Sequence, residues 1–269
     1  MNYHSDQWIM DHVREHYNEA LEHFPKDRIV GIFYQGSGNY GLDYEGSDVD
    51  TKLIVTPTFE DIAMNKKAVS TTHIRANEEH IDFKDIRLYI QTFRKQNLNF
   101  LEILFTKYAI INPVYEVEWN RLVSAREAIA HYAPVQAIKS MKGIAKEKYH
   151  AMEHHYPARM AWIEKFGYDP KQLHHLLRVE DYIERYISGE SYEDCLCARF
   201  PSYLKDVKMG CHHLEVARTL ADNAIENIDK ICSDYIDRCS TEADKNVDAL
   251  FDDVQYNIMK IAIKKEIGD

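Results

Sequence analysis

The chain has 269 residues, enough for one large domain or two small ones, and 45% of them are hydrophobic, too many for a disordered chain. Its formal net charge of −11, with no dense Lys/Arg block, argues against a surface built to lie along nucleic acid and leaves either a local basic pocket or a small or cationic partner. No stretch is apolar for long enough to cross a bilayer, and the opening MNYHSDQWIMDHVREHY lacks the basic start and unbroken apolar run of a signal peptide. The expected location is therefore the cytoplasm, with no membrane partner.

Residues 6–24 read as an amphipathic helix with Trp8, Ile9, Val13, Tyr17 and Leu21 along one side, ended by Pro25. Residues 28–35 (RIVGIFYQ) read as a strand, 36–41 as a glycine-rich turn that opens a short helix, and 47–55 (SDVDTKLIV) as the next strand, closed by Pro57. Residues 68–75 and 79–84 form a predicted hairpin turning at Ala76-Asn77-Glu78. Asp85 then caps a helix from Ile86 to about Gln96, and a second helix carries Phe100, Leu101, Leu104 and Phe105. From about residue 115 the pattern is helical, over roughly 116–131, 134–155, 171–188, 206–231 and 243–266, with breaks at Tyr168-Asp169-Pro170 and Ser188-Gly189. The predicted class is α+β, a small mixed sheet with helices followed by a helical C-terminal region, divided into domains 1–115 and 116–269.

Gly36-Ser-Gly38-Asn-Tyr-Gly41 after a strand spells the dinucleotide-binding fingerprint. That fold needs a crossover of at least about a dozen residues, helix included, before the next parallel strand. Here Ser47 follows at once, across Asp43-Tyr44-Glu45-Gly46, which is turn chemistry. The Walker A loop fails too, for want of Gly-Lys-Ser/Thr. A second reading uses more residues. Gly36 lets backbone N–H groups approach phosphate oxygens, Ser37 adds a hydroxyl donor, and the next strand presents Asp48 and Asp50 on one face. Two such carboxylates repel unless a cation lies between them, and they are hard oxygen ligands suited to Mg²⁺ or Mn²⁺ on a triphosphate. The bland alternative, two aspartates on the solvated face of an edge strand, leaves the glycine-serine turn directly before them unexplained.

A second metal ion, activating an attacking hydroxyl, needs a further carboxylate. In His80-Ile-Asp-Phe-Lys-Asp85 the alternation puts Asp82 on the polar side of a strand that would lie beside the one carrying Asp48 and Asp50. Asp82 is preferred over Asp85, which sits at a helix N-cap, and Glu102 reads as structural. Lys171, His175 and Arg178, at i, i+4 and i+7, would make one cationic helix face suited to phosphate, although His174 could be the inward residue and Lys171 free in water. Cys195 and Cys197 with Cys211-His212-His213 lack the usual zinc spacing and read as buried thiols and surface histidines, and the pair His154-His155 reads as surface too.

Gly36-Ser37 followed by Asp48-Val-Asp50 resembles the signature of the DNA polymerase β nucleotidyltransferase superfamily. The longer string, Gly-Ser-x-x-Tyr40-Gly41-Leu42 with Ser47-Asp48-x-Asp50, is similar to the predicted nucleotidyltransferases associated with bacterial RNA-repair operons. Asn97-Leu-Asn-Phe-Leu101-Glu102-Ile-Leu104 resembles their Asn-Pro-x-x-Leu-Glu-x-Leu segment, with Leu98 where proline is usual, and Lys171…His175…Arg178 resembles their Lys-x-x-x-His-x-x-Arg helix. The resemblance implies transfer of a nucleoside monophosphate from an NTP, such as ATP, to an acceptor hydroxyl with release of pyrophosphate. It makes Asp48 and Asp50 metal ligands, places Ser37 on the triphosphate, and suggests an RNA end as acceptor. Asp82, argued from strand alternation, would complete a site for two ions. A protein side chain or a cationic small molecule is the alternative acceptor, and a nucleotide-binding sensor or antitoxin-like module without turnover is the alternative class.

Overall fold

The computed structural model describes residues 3–268. They form two compact units: one runs to Tyr132 and resumes at Ala243, and the other is Ala133–Glu242. This division differs from the expected one at 115/116. Helices α5 (Glu116–Ser124) and α6 (Arg126–Ala130) belong with the sheet, and the last helix, α13 (Lys245–Ile267), returns to it. That return is long-range: Phe251 of α13 is fully buried and stacks on Phe93, while Arg94 pairs with Asp248 and Asp252 and Arg121 pairs with Asp253.

The first unit is an α+β fold on a five-stranded mixed sheet in the order β3-β4-β2-β1-β5. The strands are β1 (Ile29–Gln35), β2 (Asp50–Val55), β3 (Ser70–Ile74), β4 (His80–Asp85) and β5 (Ala109–Ile111). The central pair β1–β2 is antiparallel and almost wholly buried, as a run such as IVGIFYQ requires when both faces are covered. Strand β4 lies parallel to β2, with Lys52 opposite Asp82 and Thr51 opposite Ile81. Its burial alternates residue by residue, so His80, Asp82 and Lys84 share one face with Asp50 and Lys52. Strand β3 closes the edge antiparallel to β4 after the expected turn, in which Glu78 takes φ +68°.

Helix α1 (Asp6–His23) covers the opposite face. Ser5 Oγ caps it by accepting the Trp8 N–H, and Ile9, Val13 and Ala20 pack against Ile32, Tyr34, Leu53, Val55, Ile81 and Phe83. The buried line runs through His16 and not Leu21, which is 38% exposed. Positions 9, 13, 16 and 20 hold the helical period, and His16 is admitted because both its ring nitrogens are hydrogen-bonded. Helix α2 (Phe59–Ala63) lies in the β2–β3 connection, and α3 (Ile86–Arg94) and the single turn α4 (Leu98–Leu101) follow β4.

The second unit is helical: α7 (Pro134–Ala151), α8 (Met160–Phe166), α9 (Pro170–Ser188), α10 (Tyr192–Leu196), α11 (Pro201–Lys208) and α12 (Leu214–Ile236). Helices α7, α10, α11 and α12 all pack on α9. The helix expected over 206–231 is two, because Gly210 takes φ +81° with the Phe166 ring against it and ends α11. No helix among the described residues is long and apolar enough to cross a membrane.

Candidate active site

The glycine loop is shaped from below by Tyr34. This buried ring lies one residue before the end of β1, and its hydroxyl accepts the Gly38 N–H at 3.0 Å. Gly36 takes φ +147° with ψ −178°, a conformation essentially reserved for glycine. A Cβ at Gly36 would fall 2.8 Å from Tyr34 Oη, and one at Gly38 2.9 Å from the same atom. Burial pushes the Tyr34 hydroxyl far above its ordinary pKa, so it stays a neutral phenol under the loop. Residues 37–39 then make one 3₁₀ turn, the expected short helix. The Ser37 carbonyl accepts the Leu42 N–H, and its hydroxyl lies 3.4 Å from that of Ser47, whose own oxygen accepts the Tyr44 N–H. Asn39 ties the far side to β1 and to Thr106.

Strand β2 starts at Asp50, so Asp48 lies in the approach to the strand and not within it, as Ser47–Val55 had implied. The alternation nonetheless begins early: Asp48 is exposed, Val49 fully buried and Asp50 half-buried. Val49 is held by its backbone. Its N–H donates to Glu79 Oε1 at 3.2 Å, while Glu79 Oε2 accepts from His16 Nε2 at 2.9 Å, Arg75 Nη1 at 2.7 Å and Asn77 Nδ2 at 2.8 Å. The other His16 nitrogen meets Thr51 Oγ1. Burial alone would raise the Glu79 carboxyl, but the hydrogen bonds from His16 and Asn77, the charge on His16 and the Val49 N–H outweigh it and hold the pKa at about 2. A buried, ionised carboxylate thus clamps the residue between Asp48 and Asp50. The sequence reading missed Glu79. Its signal was an acidic residue at the hairpin's end with Arg75 four places before it.

Asp50 Oδ1 accepts the His80 backbone N–H at 2.9 Å and faces its ring nitrogen at 3.1 Å. Burial raises the Asp50 pKa, and the Asp48 charge adds to the rise against the opposing His80 contacts. Two hard oxygen donors whose mutual charge is unfavourable without a cation fit a divalent ion shared with phosphate oxygens. Among the described residues no group of three or more His, Cys, Asp or Glu side chains is placed to hold a metal ion.

Asp82 lies on the same face, one strand over and two residues further along, roughly 8 Å from Asp50 between Cα atoms by sheet geometry. Its carboxylate is already engaged: Lys52 Nζ donates at 2.9 Å and Thr72 Oγ1 at 2.6 Å. Burial opposes ionisation there, but Lys52 lowers the pKa below its ordinary value. Asp85 is the helix cap, accepting the Arg87 N–H at 2.8 Å and gripping the Arg87 guanidinium. Glu102 is buried.

Lys171, His175 and Arg178 lie on α9 of the helical unit. Asp169 caps that helix through the Lys171 N–H and holds Arg159 by two 2.7 Å hydrogen bonds. His174 is the inward residue, 2% exposed and bonded to the Leu204 carbonyl, and burial pushes its pKa down to about 3. His175 is half-buried. Burial, then His174, Arg178, Lys171 and Lys148, press its pKa well below the usual value, the setting of a cationic cluster. Of the thiols expected to be buried Cys195 is, but Cys197 and Cys211 are exposed, and His212 is half-buried against Tyr203 rather than free on the surface.

No family model matches the chain, and no curated protein matches it. Among solved structures it is similar to a nucleotidyltransferase-like protein from Exiguobacterium sibiricum 255-15, at 10% identity and a TM-score of 0.28, covering 84% of this chain and 75% of that one. A likeness that loose decides neither site nor activity.

Proposed function

We propose that the sheet unit is the catalytic core of a metal-dependent nucleotidyltransferase that moves a nucleoside monophosphate from an NTP to an acceptor hydroxyl and releases pyrophosphate. The observation that carries this reading is the pair Asp48 and Asp50 on either side of the clamped Val49, close after a loop that only glycine can form. Gly36 and Ser37 would receive triphosphate oxygens through backbone N–H groups and the Ser37 hydroxyl. Asp48 and Asp50 would hold Mg²⁺ or Mn²⁺, which when bound neutralises the triphosphate and polarises the reacting phosphorus centre. The remaining work of the chain is positioning: Tyr34 sets the loop, Glu79 sets the carboxylate pair, and His80 orients Asp50.

The two-ion scheme asks Asp82 to be free to take a second metal. Lys52 Nζ at 2.9 Å already supplies a positive charge there, so the reading adopted is one ion on Asp48 and Asp50, with the Lys52–Asp82 pair facing the acceptor. Lys171, His175 and Arg178 are a second phosphate-binding element on the helical unit in this proposal.

The test offers each of the four NTPs, labelled at the α-phosphate, to RNA, protein and small hydroxyl acceptors with Mg²⁺ or Mn²⁺. Label should enter an acceptor with wild type and drop at least about a hundredfold with Asp48→Asn. NTP binding with no acceptor labelled under any metal would replace the enzyme by a nucleotide-binding module.

A further inference from the structure

Beside Asp82 the sheet face opens into a cavity of about 280 Å³ lined by Ser70, Thr71, Thr72, Asp82, Lys84 and Phe100. Its charge balance is unusual. Lys52 is 3% exposed, and its ammonium lies 4.1 Å from the centre of the Phe100 ring. The Lys84 ammonium lies 4.0 Å from the same centre, so the two cations are within roughly 8 Å of each other. Only one carboxylate, Asp82, meets them, and it is spent on Lys52. Lys84 enters no ion pair among the described residues, so a net positive charge is left in a partly desolvated pocket. Burial, then the Lys52 charge, lower the Lys84 pKa and outweigh the opposing pull of Asp82.

Two features fit a phosphate group. The hydroxyls of Ser70 and Thr72 sit on the same sheet face as Lys84 and Asp82, opposite them in register; that of Thr72 is given to Asp82, and that of Ser70 adds a neutral donor beside Lys84. Lys52 lies behind two residues of the lining, paired with Asp82 and against the Phe100 ring, so its charge acts on a guest from outside the cavity. From this excess of buried positive charge we infer that the cavity is an acceptor subsite that takes a phosphate group of the molecule to be modified, with Lys84 as the ligand's principal contact. The assignment rests on the transfer reading only for the word acceptor. It favours an anionic acceptor, such as the RNA end, over the alternative cationic small molecule, with the acceptor's phosphate near the hydroxyl that Asp82 faces.

The experiment titrates inorganic phosphate into the full chain in the presence of a chelator, by calorimetry, so that no metal-dependent triphosphate binding contributes. Wild type should bind. Lys84→Met, which keeps the stem and removes the charge, should weaken binding at least about tenfold, and Lys84→Arg should restore much of it. Asp82→Asn should tighten it, because a competing anion is lost, a change that a merely structural lysine would not produce. Ser37→Ala should leave it unaltered, which separates this cavity from the triphosphate loop. Displacement by glycerol 3-phosphate or by a short RNA would support the assignment and distinguish a small phosphorylated acceptor from an RNA one, whereas displacement by neither would overturn it. Equal affinity in wild type and Lys84→Met, with circular dichroism unchanged, would also overturn it. Phosphate binding that follows this pattern in a chain that labels no acceptor would leave the subsite standing and remove the enzyme.

Discussion

Replacing Glu79 with alanine should cost about 3 kcal/mol at neutral pH. The Glu79 side chain is 7% exposed and makes close contacts with Val49, His16, Arg75 and Asn77. Its pKa falls from 4.5 to about 2 on folding, and 2.5 pH units at about 1.4 kcal/mol each give about 3 kcal/mol. The same order follows from removing one partner of a buried ion pair, about 3–5 kcal/mol. The sign is that of a carboxylate with a depressed pKa. The stabilisation is fully present above pH 4.5 and is lost as pH falls through about 2. Thermal unfolding of wild type and Glu79→Ala should therefore differ by several degrees at pH 7, about 2–4 °C per kcal/mol for a chain of this size, and the gap should narrow on acidification. Glu79→Gln should keep part of the Val49 contact and lose the pH dependence. A gap under about 1 kcal/mol at pH 7, or one that stays constant into acid, would refute the account of the clamp.

Gly36→Ala forces a side chain into φ +147° with its Cβ 2.8 Å from Tyr34 Oη. The expected cost is about 1–3 kcal/mol of strain, with nucleotide affinity falling at least tenfold as the loop shifts, and calorimetric titration with NTP checks it. Asp50 has a raised pKa, so it keeps its proton to higher pH than an ordinary aspartate, and a divalent cation bound to the carboxylate displaces that proton. Cation binding near that pKa should release a proton in wild type and none in Asp50→Asn, read by calorimetry in buffers of different ionisation enthalpy; equal release in both would contradict the ligand assignment.

The glycine turn, the Asp48–Asp50 spacing and the hairpin at 76–78 were legible because turn chemistry and alternation are local. The placement of β4 beside β2 was expected from the same alternation at Asp82 and is observed; that the pair is parallel was not foreseen. Three features were not legible, each for a physical reason. The strand β5 is three residues long, too short to show a period, and is recruited by its pairing with β1. Helix α13 joins the sheet unit through Arg94, Arg121 and Phe93, contacts that no local pattern announces. Charged residues in strands read as solvated by default, which hid the burial of Lys52, its pairing with Asp82 and the role of Glu79. The apolar line of α1 was misassigned at Leu21 because the buried residue of that turn is a histidine with both nitrogens satisfied.

The central claim is that Asp48 and Asp50 hold one divalent cation on an NTP beneath the Gly36 loop. It is tested most directly by Mn²⁺ titration, followed by electron paramagnetic resonance, in the presence of a saturating non-hydrolysable NTP. The account predicts one tight Mn²⁺ in the wild-type ternary complex, weakened at least about tenfold by Asp48→Asn and by Asp50→Asn while circular dichroism is unchanged. Mn²⁺ held equally well by the double variant Asp48→Asn, Asp50→Asn would contradict it.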